Sequence, residues 1–190
     1  MSRTIETLLA PPPGFRSEAV ARFVWQLDAL RESLLANVGG LTTADLDWQP
    51  HLGMNTIGML LAHIAYAESH IVQVGLEGRA VSDTLSVIGI TEQDEGLPLA
   101  PGAPPSPALL GRPLSGFIDM LAGARAYTTR VARTLADEDL ERRIERPPRP
   151  DGSRRVFNVA WVFFHLIEHE AGHRAQINLV RHLRRIQTAG

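Results

Sequence analysis

Apolar residues recur at helical spacing in four stretches of the chain. The first begins after Ser17, a suitable N-cap, and ends at Gly39 and Gly40. Most of its apolar positions follow one another at steps of three or four residues: Val20, Phe23, Val24, Leu27, Leu30 and Leu34. Because residues at these separations share one face of a helix, the spacing predicts an amphipathic first helix.

The second stretch predicts a helix from Ile57 to Glu77. Thr56 is suited to cap its start, and Gly78 is suited to end it. His63 lies near the middle of this helix and interrupts a run of apolar residues.

Two further helices are predicted in the second half of the chain. The third has a largely apolar seam: Phe117, Leu121, Ala124, Thr128, Val131 and Leu135. The fourth runs from Asn158, a candidate cap, towards Gln187. Its stripe contains two histidines: Val162, Leu166, His169, His173, Ile177 and Val180. The two histidines are therefore expected on the buried face.

The connections between these helices are rich in proline. The segment from Arg79 to Arg112 contains Pro98, Pro101, Pro104, Pro105 and Pro107. Since proline restricts the backbone and lacks an amide donor, no long helix or strand is expected in this crossover. A second proline-rich turn spans Arg146 to Ser153.

Four amphipathic helices without strand-like alternation predict an all-α four-helix bundle. The long crossover allows the second and third helices to run parallel, and we expect it to cover part of one end of the bundle. With 190 residues, of which 44% are hydrophobic, the chain is expected to form a single domain over residues 1–190.

The charge balance argues against a nucleic-acid binder, because 19 basic and 21 acidic side chains nearly cancel. The chain has no cysteine, which excludes disulfides, thiolate metal ligands and cysteine nucleophiles. Any thiol chemistry therefore requires a thiol from outside.

No segment has the pattern of a secretion signal or a membrane span, so a cytoplasmic protein without a membrane partner is expected.

Six of the seven histidines fall on the second and fourth predicted helices. His169 and His173 lie four residues apart on one face, a spacing at which two imidazoles can bind one metal ion. His63, on the other helix, is well placed as a third ligand. Three imidazoles with a water suit zinc, although nickel, copper and iron(II) also accept imidazole. His165 and His70 are expected at the rim of this site, where they can orient ligands or relay protons.

The alternative is that these are core histidines satisfied by hydrogen bonds, the usual explanation for a single histidine on an apolar face. Two imidazoles on one core stripe carry a desolvation cost unless they have strong partners, which favours metal binding.

Four charged residues near the histidines are candidate acids, bases or anion-binding groups, but we expect them to be solvated or paired on exposed faces: Glu68, Glu168, Glu170 and Arg174.

The residues from His169 to His173 also match the H-E-x-x-H motif of zinc peptidases, with Glu170 as the general base. The extended motif requires glycine and histidine at two later positions, where this chain has Gln176 and Leu179. No acidic residue follows Glu170 as a more distant ligand. A peptidase is therefore disfavoured.

Three stretches resemble the DinB-like superfamily: Trp48-Gln49-Pro50, Asn55 to Ala65, and His165 to Ile177. In that family, a histidine on the second helix joins two on the fourth, in a pattern like H-x-x-x-H-R-G-Q. Ala175 stands where the family pattern has glycine, and this departure leaves the histidines unaffected.

The resemblance implies His63, His169 and His173 as metal ligands, the same set that the helix faces suggest. It further implies an up-down-down-up bundle, frequent homodimers, and relatives that use low-molecular-weight thiols in transfer or isomerisation reactions.

Two functions follow as hypotheses. The first is a metal-dependent S-transferase or isomerase, similar to the mycothiol-dependent and bacillithiol-dependent members, in which the metal lowers the pKa of an external thiol that attacks a small-molecule substrate. The second is a non-catalytic, stress-related dimer in which the metal only joins the second and fourth helices. An exchangeable coordination position would favour the enzyme.

Overall fold

The computed structural model describes residue 6 and residues 8–95, 97 and 99–189, the last of these by its backbone alone. Most of it is helical, which confirms the all-α class. In chain order, the helices are α1 (Glu18–Val38), α2 (Thr43–Asp47), α3 (Ile57–Gly75), α4 (Glu92–Glu95), α5 (Leu114–Ala132) and α6 (Val159–Ala189). The long helices α1, α3, α5 and α6 correspond to the four predicted ones.

The predicted helix starts are confirmed by their caps. The side-chain oxygens of Ser17, Thr56 and Asn158 each accept a hydrogen bond from the backbone amide three residues later. Each bond satisfies one of the amides that have no partner within the first turn of a helix. Helix α3 ends at Gly75, slightly earlier than the predicted end at Glu77.

A short pair of strands corrects the expectation that the chain has none. Strand β1 (Arg143–Glu145) pairs antiparallel with β2 (Val156–Asn158) across the predicted proline-rich turn. Each strand has only three residues, which is too short for an alternating pattern to stand out in the sequence. The hairpin leads directly into α6.

The crossover between α3 and α5 has no long helix or strand among its described residues, as predicted. It contains one turn of 3-10 helix, Val81–Asp83, and the four-residue α4. Two of its side chains, Ile90 and Leu109, are buried in the core beside α3 and α5. Hydrogen bonds attach it to α3 at both Gln73 and His63, so it follows the side of that helix. That it also covers part of one end of the bundle stays a prediction.

Helix α3 is the most buried of the long helices and packs against both α5 and α6, while α1 packs against the same two. Two glycines of α3 allow side chains of α5 and α6 to approach that helix closely. A Cβ atom on Gly58 would lie 2.9 Å from the Phe117 ring, and one on Gly75 would lie 2.8 Å from a Val162 methyl group. None of the helices in the described ranges is long and apolar enough to cross a membrane.

Candidate metal centre

The three predicted ligands lie together where α3 crosses α6. The Nε2 atom of His169 is 3.0 Å from Nε2 of His63 and 3.2 Å from Nε2 of His173. One ring nitrogen from each residue lies within 4.8 Å of the other two. The helix packing thus joins side chains that are 106 positions apart in the sequence. The His63 side chain is 20% exposed, so the cluster reaches the surface.

The outer two rings are oriented by hydrogen bonds on their other nitrogens. The Nδ1 atom of His63 lies 2.8 Å from a carboxylate oxygen of Glu95, and that of His173 lies 2.8 Å from the amide oxygen of Gln176. A carboxylate and an amide oxygen can only accept, so both Nδ1 atoms carry the proton. In the neutral rings, both Nε2 atoms therefore present lone pairs to the centre of the cluster.

This donor set fits a divalent metal ion. Zinc–nitrogen bonds are about 2.0–2.1 Å long, so two ligand nitrogens in a tetrahedral site lie about 3.3 Å apart. The two shortest nitrogen pairs of the cluster are already close to this separation. Without an ion, His169 has one Nε2 proton at most and can satisfy only one of the two facing lone pairs. The residues that would hold the ion are His63, His169 and His173.

The environment favours the neutral form of His169 and His173. Burial, together with the neighbouring His173 and His63 rings, lowers the pKa of His169 to about 3. Burial also lowers the pKa of His173 below its ordinary value, although the bond to Gln176 acts in the opposite direction. Metal binding requires unprotonated imidazole. At neutral pH, protons would therefore compete little with a metal ion for these two rings.

The two histidines expected at the rim have different positions. His165 lies one turn before His169 on α6, with ring centroids 5.9 Å apart, and its Nδ1 contacts Glu168. His70 stacks on Tyr66 and lines a separate cavity that His165 also lines. His165 is thus beside the cluster as predicted, whereas His70 belongs to the adjoining cavity.

A ladder of rings extends from the cluster along α6. Its members recur every four residues, and neighbouring centroids are 4.4–5.9 Å apart: Phe157, Trp161, His165, His169 and His173. The four-residue spacing places the four members on α6 on one face of that helix, while Phe157 lies in β2. The histidine cluster is therefore continuous with an aromatic surface that reaches the hairpin.

A buried group of four charges lies next to His169, and each long helix supplies one member: Arg31, Glu68, Arg125 and Glu170. We call this group the charge tetrad. Each of its side chains is at most 10% exposed, and each guanidinium bonds to both carboxylates. Glu68 and Glu170 were expected to be solvated or paired on exposed faces; both are paired, but they are buried and their arginine partners lie on other helices.

The tetrad is internally neutral, which offsets the cost of burying charge. Burial alone would raise the pKa of Glu68, but Arg125 and Arg31 outweigh it and hold that pKa below its ordinary value. Burial likewise opposes the charged form of Arg125, yet the Glu68 and Glu170 carboxylates raise its pKa. The contacts of Glu68 and Arg125 thus favour the charged form of both groups.

The tetrad also bears on the peptidase motif. In H-E-x-x-H enzymes the glutamate acts as a general base at the metal. Here, one Glu170 oxygen lies 2.8 Å from Nε of Arg31, and the other lies 2.9 Å from Arg125. Bonds to two buried guanidiniums occupy both carboxylate oxygens, so Glu170 is not free to act as a general base at the histidines. The chain therefore matches the motif in sequence only, because Glu170 is a buried core residue that pairs with two arginines.

Sequence reasoning missed several residues of this region. Glu95 lies in the proline-rich crossover, and no spacing rule connects it with His63. Arg31 and Arg125 had a detectable signal, because each is a charged residue within the apolar stripe of its helix. A charge in such a position indicates a buried partner.

A comparison with known families adds one finding. The sequence pattern described as the DinB superfamily matches residues 26–177, well over half of the chain. The matched region includes all three clustered histidines and the whole charge tetrad. No curated protein matches the chain.

Proposed function

Because the chain belongs to the DinB superfamily, we propose that it is a metal-dependent enzyme that uses a low-molecular-weight thiol in an S-transfer or isomerisation reaction on a small molecule. One observation carries this proposal: three imidazole nitrogens converge at a point that remains accessible from the surface. Three protein ligands leave a coordination position for an external group, as in catalytic zinc sites.

The roles of the residues follow from their contacts. His63, His169 and His173 would hold the ion, with zinc as the first candidate and nickel or iron as alternatives. A bound ion would supply Lewis acidity and lower the pKa of a thiol that reaches the centre. Glu95 and Gln176 fix the two outer rings. The chain contains no cysteine, so the thiol would come from a cosubstrate such as mycothiol, bacillithiol or glutathione.

We further propose an up-down-down-up four-helix bundle. Four contacts support the directions of α3, α5 and α6. Gly58 and Glu68 of α3 approach Phe117 and Arg125 of α5 in the same order, which suits parallel helices. Helices α3 and α6 approach in the opposite order, with His63 beside His169 and Gly75 beside Val162: an antiparallel pair.

A homodimer of such bundles is proposed as the working assembly. Its support is a set of large apolar side chains that α6 exposes by more than half: Phe164, Leu179 and Ile186. Exposed apolar groups on one element are typical of an interaction surface. Sedimentation at several protein concentrations measures the assembly directly.

The second candidate function is a non-catalytic, stress-related dimer in which the ion joins α3 to α6. The observation that favours it is that the three ligands come from only these two helices, so an ion there acts as a cross-link. The two functions differ in the external coordination position. A fourth protein ligand, seen by X-ray absorption of the metal-loaded protein, would favour the cross-link.

The test of the enzyme is thiol consumption with a reactive electrophile, measured for metal-loaded and chelated protein. Mycothiol, bacillithiol and glutathione are tried in turn. The loaded protein is expected to be faster. Alanine at His63, His169 or His173 should lower metal affinity and abolish the metal-dependent rate together, since each removes one of three ligands.

His182→Ala is the matched control, because this histidine lies on α6 but outside the cluster. It should bind metal and react like the unchanged protein. Equal rates with and without metal, for all three thiols, would reject activation of a thiol by the metal and favour the cross-link.

A further inference from the structure

A second site adjoins the metal centre. A cavity of about 120 Å³ lies between the middle and end of α3, the start of α6 and the β hairpin. One wall is apolar and includes Ile71, Val74 and Phe157. His165, which also lines the cavity, is one helical turn from His169. A molecule in the cavity would therefore lie beside the three clustered histidines.

The cavity also has a basic wall, which adjoins its aromatic residues. Arg146 and Arg155, from the two sides of the hairpin turn, both line the cavity. Neither guanidinium forms a salt bridge with a carboxylate in the part of the chain that the structure describes. By contrast, the neighbouring Arg154 is paired with Glu145 at 2.8 Å. None of the residues that line the cavity is acidic.

The backbone of the hairpin holds these two arginines side by side. The Arg146 amide donates to the Arg155 carbonyl at 2.9 Å, just beyond the last paired residues of β1 and β2. The Arg155 guanidinium lies over the Trp161 ring, 4.4 Å from its centroid. Arg142 anchors the base of the hairpin by donating to the Leu76 carbonyl. The basic wall is therefore built on fixed backbone.

A histidine also lines the cavity. Burial together with the charge of Arg146 lowers the pKa of His70 and so favours its neutral form. His70 therefore contributes a polar but uncharged ring to the wall.

We propose that this cavity binds the carboxylate of a small molecule with an apolar body, with the carboxylate between Arg146 and Arg155. Paired guanidiniums bind carboxylates by charge-assisted hydrogen bonds, and the aromatic and aliphatic wall receives the rest of the molecule. The inference deepens the proposed function, on which it rests, by giving the substrate or the thiol a carboxylate group. The binding itself requires no metal, since no clustered histidine is needed to form the basic wall.

The test uses benzoate as the probe and benzamide as its neutral counterpart, with binding measured by calorimetry on the full chain. Benzoate should bind and benzamide should bind at least about tenfold more weakly, as expected for loss of charge-assisted hydrogen bonds. Arg146→Gln and Arg155→Gln should each weaken benzoate binding about tenfold. Arg154→Gln is the matched control on the same hairpin and should change nothing.

Three results would overturn the inference: no benzoate binding, equal binding of benzoate and benzamide, or equal loss in the Arg154 control and the two site variants. Unchanged helical circular dichroism shows that the variants are folded. The chelated protein should bind benzoate as the loaded protein does. The two hypotheses can therefore fail separately. Benzoate binding can be measured even if the protein binds no metal, and metal-dependent thiol consumption can be measured even if benzoate does not bind.

The source of the carboxylate is then identified by kinetics. If the substrate carries it, Arg146→Gln should raise KM about tenfold for an acid electrophile but leave its methyl ester unchanged. If the thiol carries it, the same variant should raise KM for glutathione but not for 2-mercaptoethanol. A variant that raises KM equally for all four compounds contradicts carboxylate binding.

Discussion

At the scale of single residues, the orientation of His63 depends on a carboxylate from the crossover. Glu95→Gln is expected to weaken metal binding about tenfold to hundredfold, because hydrogen bonds to the second nitrogen of a ligand imidazole fix its tautomer and raise its basicity. Metal competition titration measures the affinity. Glu92→Gln, on the same short helix but exposed, is the control and should have no effect. Equal affinities for all three proteins would contradict a role for Glu95.

The low pKa of His169 predicts how the metal-free protein responds to acid. Its folded pKa of about 3 lies below its ordinary value of 6.5, so the unfolded chain binds the proton first as the pH falls. This contribution to stability is therefore complete above about pH 6.5 and decreases towards pH 3. The decrease is at most about 1.4 kcal/mol per pH unit for one group.

Urea denaturation of chelated protein between pH 7 and pH 5 checks this expectation. His169→Gln should make the free energy of unfolding less dependent on pH, because it removes one group that titrates differently in the two states. His182→Gln should leave the dependence unchanged. A variant with the same slope as the unchanged protein would show that His169 is protonated normally in the folded state.

The sequence was sufficient to identify the three clustered histidines. It was not sufficient to identify the residues that form hydrogen bonds with their rings. His169 and His173 followed from one helix face, and His63 from a gap in an apolar run. Glu95 could not be found in this way, since its position depends on the path of an irregular segment. Gln176 was visible in the sequence, but its contact with His173 depends on a side-chain rotamer.

At the scale of helices, α3 and α5 are in close contact because Gly58 has no side chain. A Cβ there would meet a ring carbon of Phe117 at 2.9 Å and the carbonyl oxygen of Leu46 at 3.3 Å. Phe117 is fully buried and the carbonyl is backbone, so neither can move freely. In Gly58→Ala, overpacking is expected to lower the free energy of unfolding by about 1–3 kcal/mol. The better helix propensity of alanine offsets roughly 1 kcal/mol of this loss.

Gly172→Ala is the matched control for this change. Gly172 also lies within a long helix, but a Cβ there would meet nothing within 4 Å. Alanine should stabilise the protein by about 0.5–1 kcal/mol at this position, since only the helix preference remains. Thermal unfolding of both variants gives the comparison. The expectation fails if both changes shift the melting temperature in the same direction.

The helices were predictable from the sequence because caps and periodicity are local signals. Ser17, Thr56 and Asn158 each act within a single turn, so their roles do not depend on the rest of the fold. The β hairpin was missed for the opposite reason, since three-residue strands have no local pattern and depend on their pairing. The path of the crossover along α3 is also non-local, so the sequence did not reveal it.

At the scale of the whole molecule, the charge tetrad connects all four long helices. Glu170→Gln leaves Arg31 and Arg125 with one buried carboxylate between them, apart from the contact of Arg125 with Asp28. Breaking a buried ion pair in this way costs about 3–5 kcal/mol. Urea denaturation of chelated protein should show a loss of this size.

The control is Glu168→Gln, two residues earlier on α6, where the side chain is about half exposed. Its expected effect is within about 0.5 kcal/mol, as for most surface changes. A Glu170 variant as stable as this control would show that the tetrad contributes little to the free energy of unfolding.

The tetrad also has a consequence for the order in which the chain is made. Arg31, Glu68 and Arg125 leave the ribosome before Glu170, because synthesis runs from the N-terminus. Until α6 emerges, closing the first three helices would bury two guanidiniums against one buried carboxylate, with the exposed Asp28 as the further partner of Arg125. That imbalance opposes early closure of the core. The charges of the tetrad thus favour closure of the core after synthesis of the helix that supplies two of the three clustered histidines.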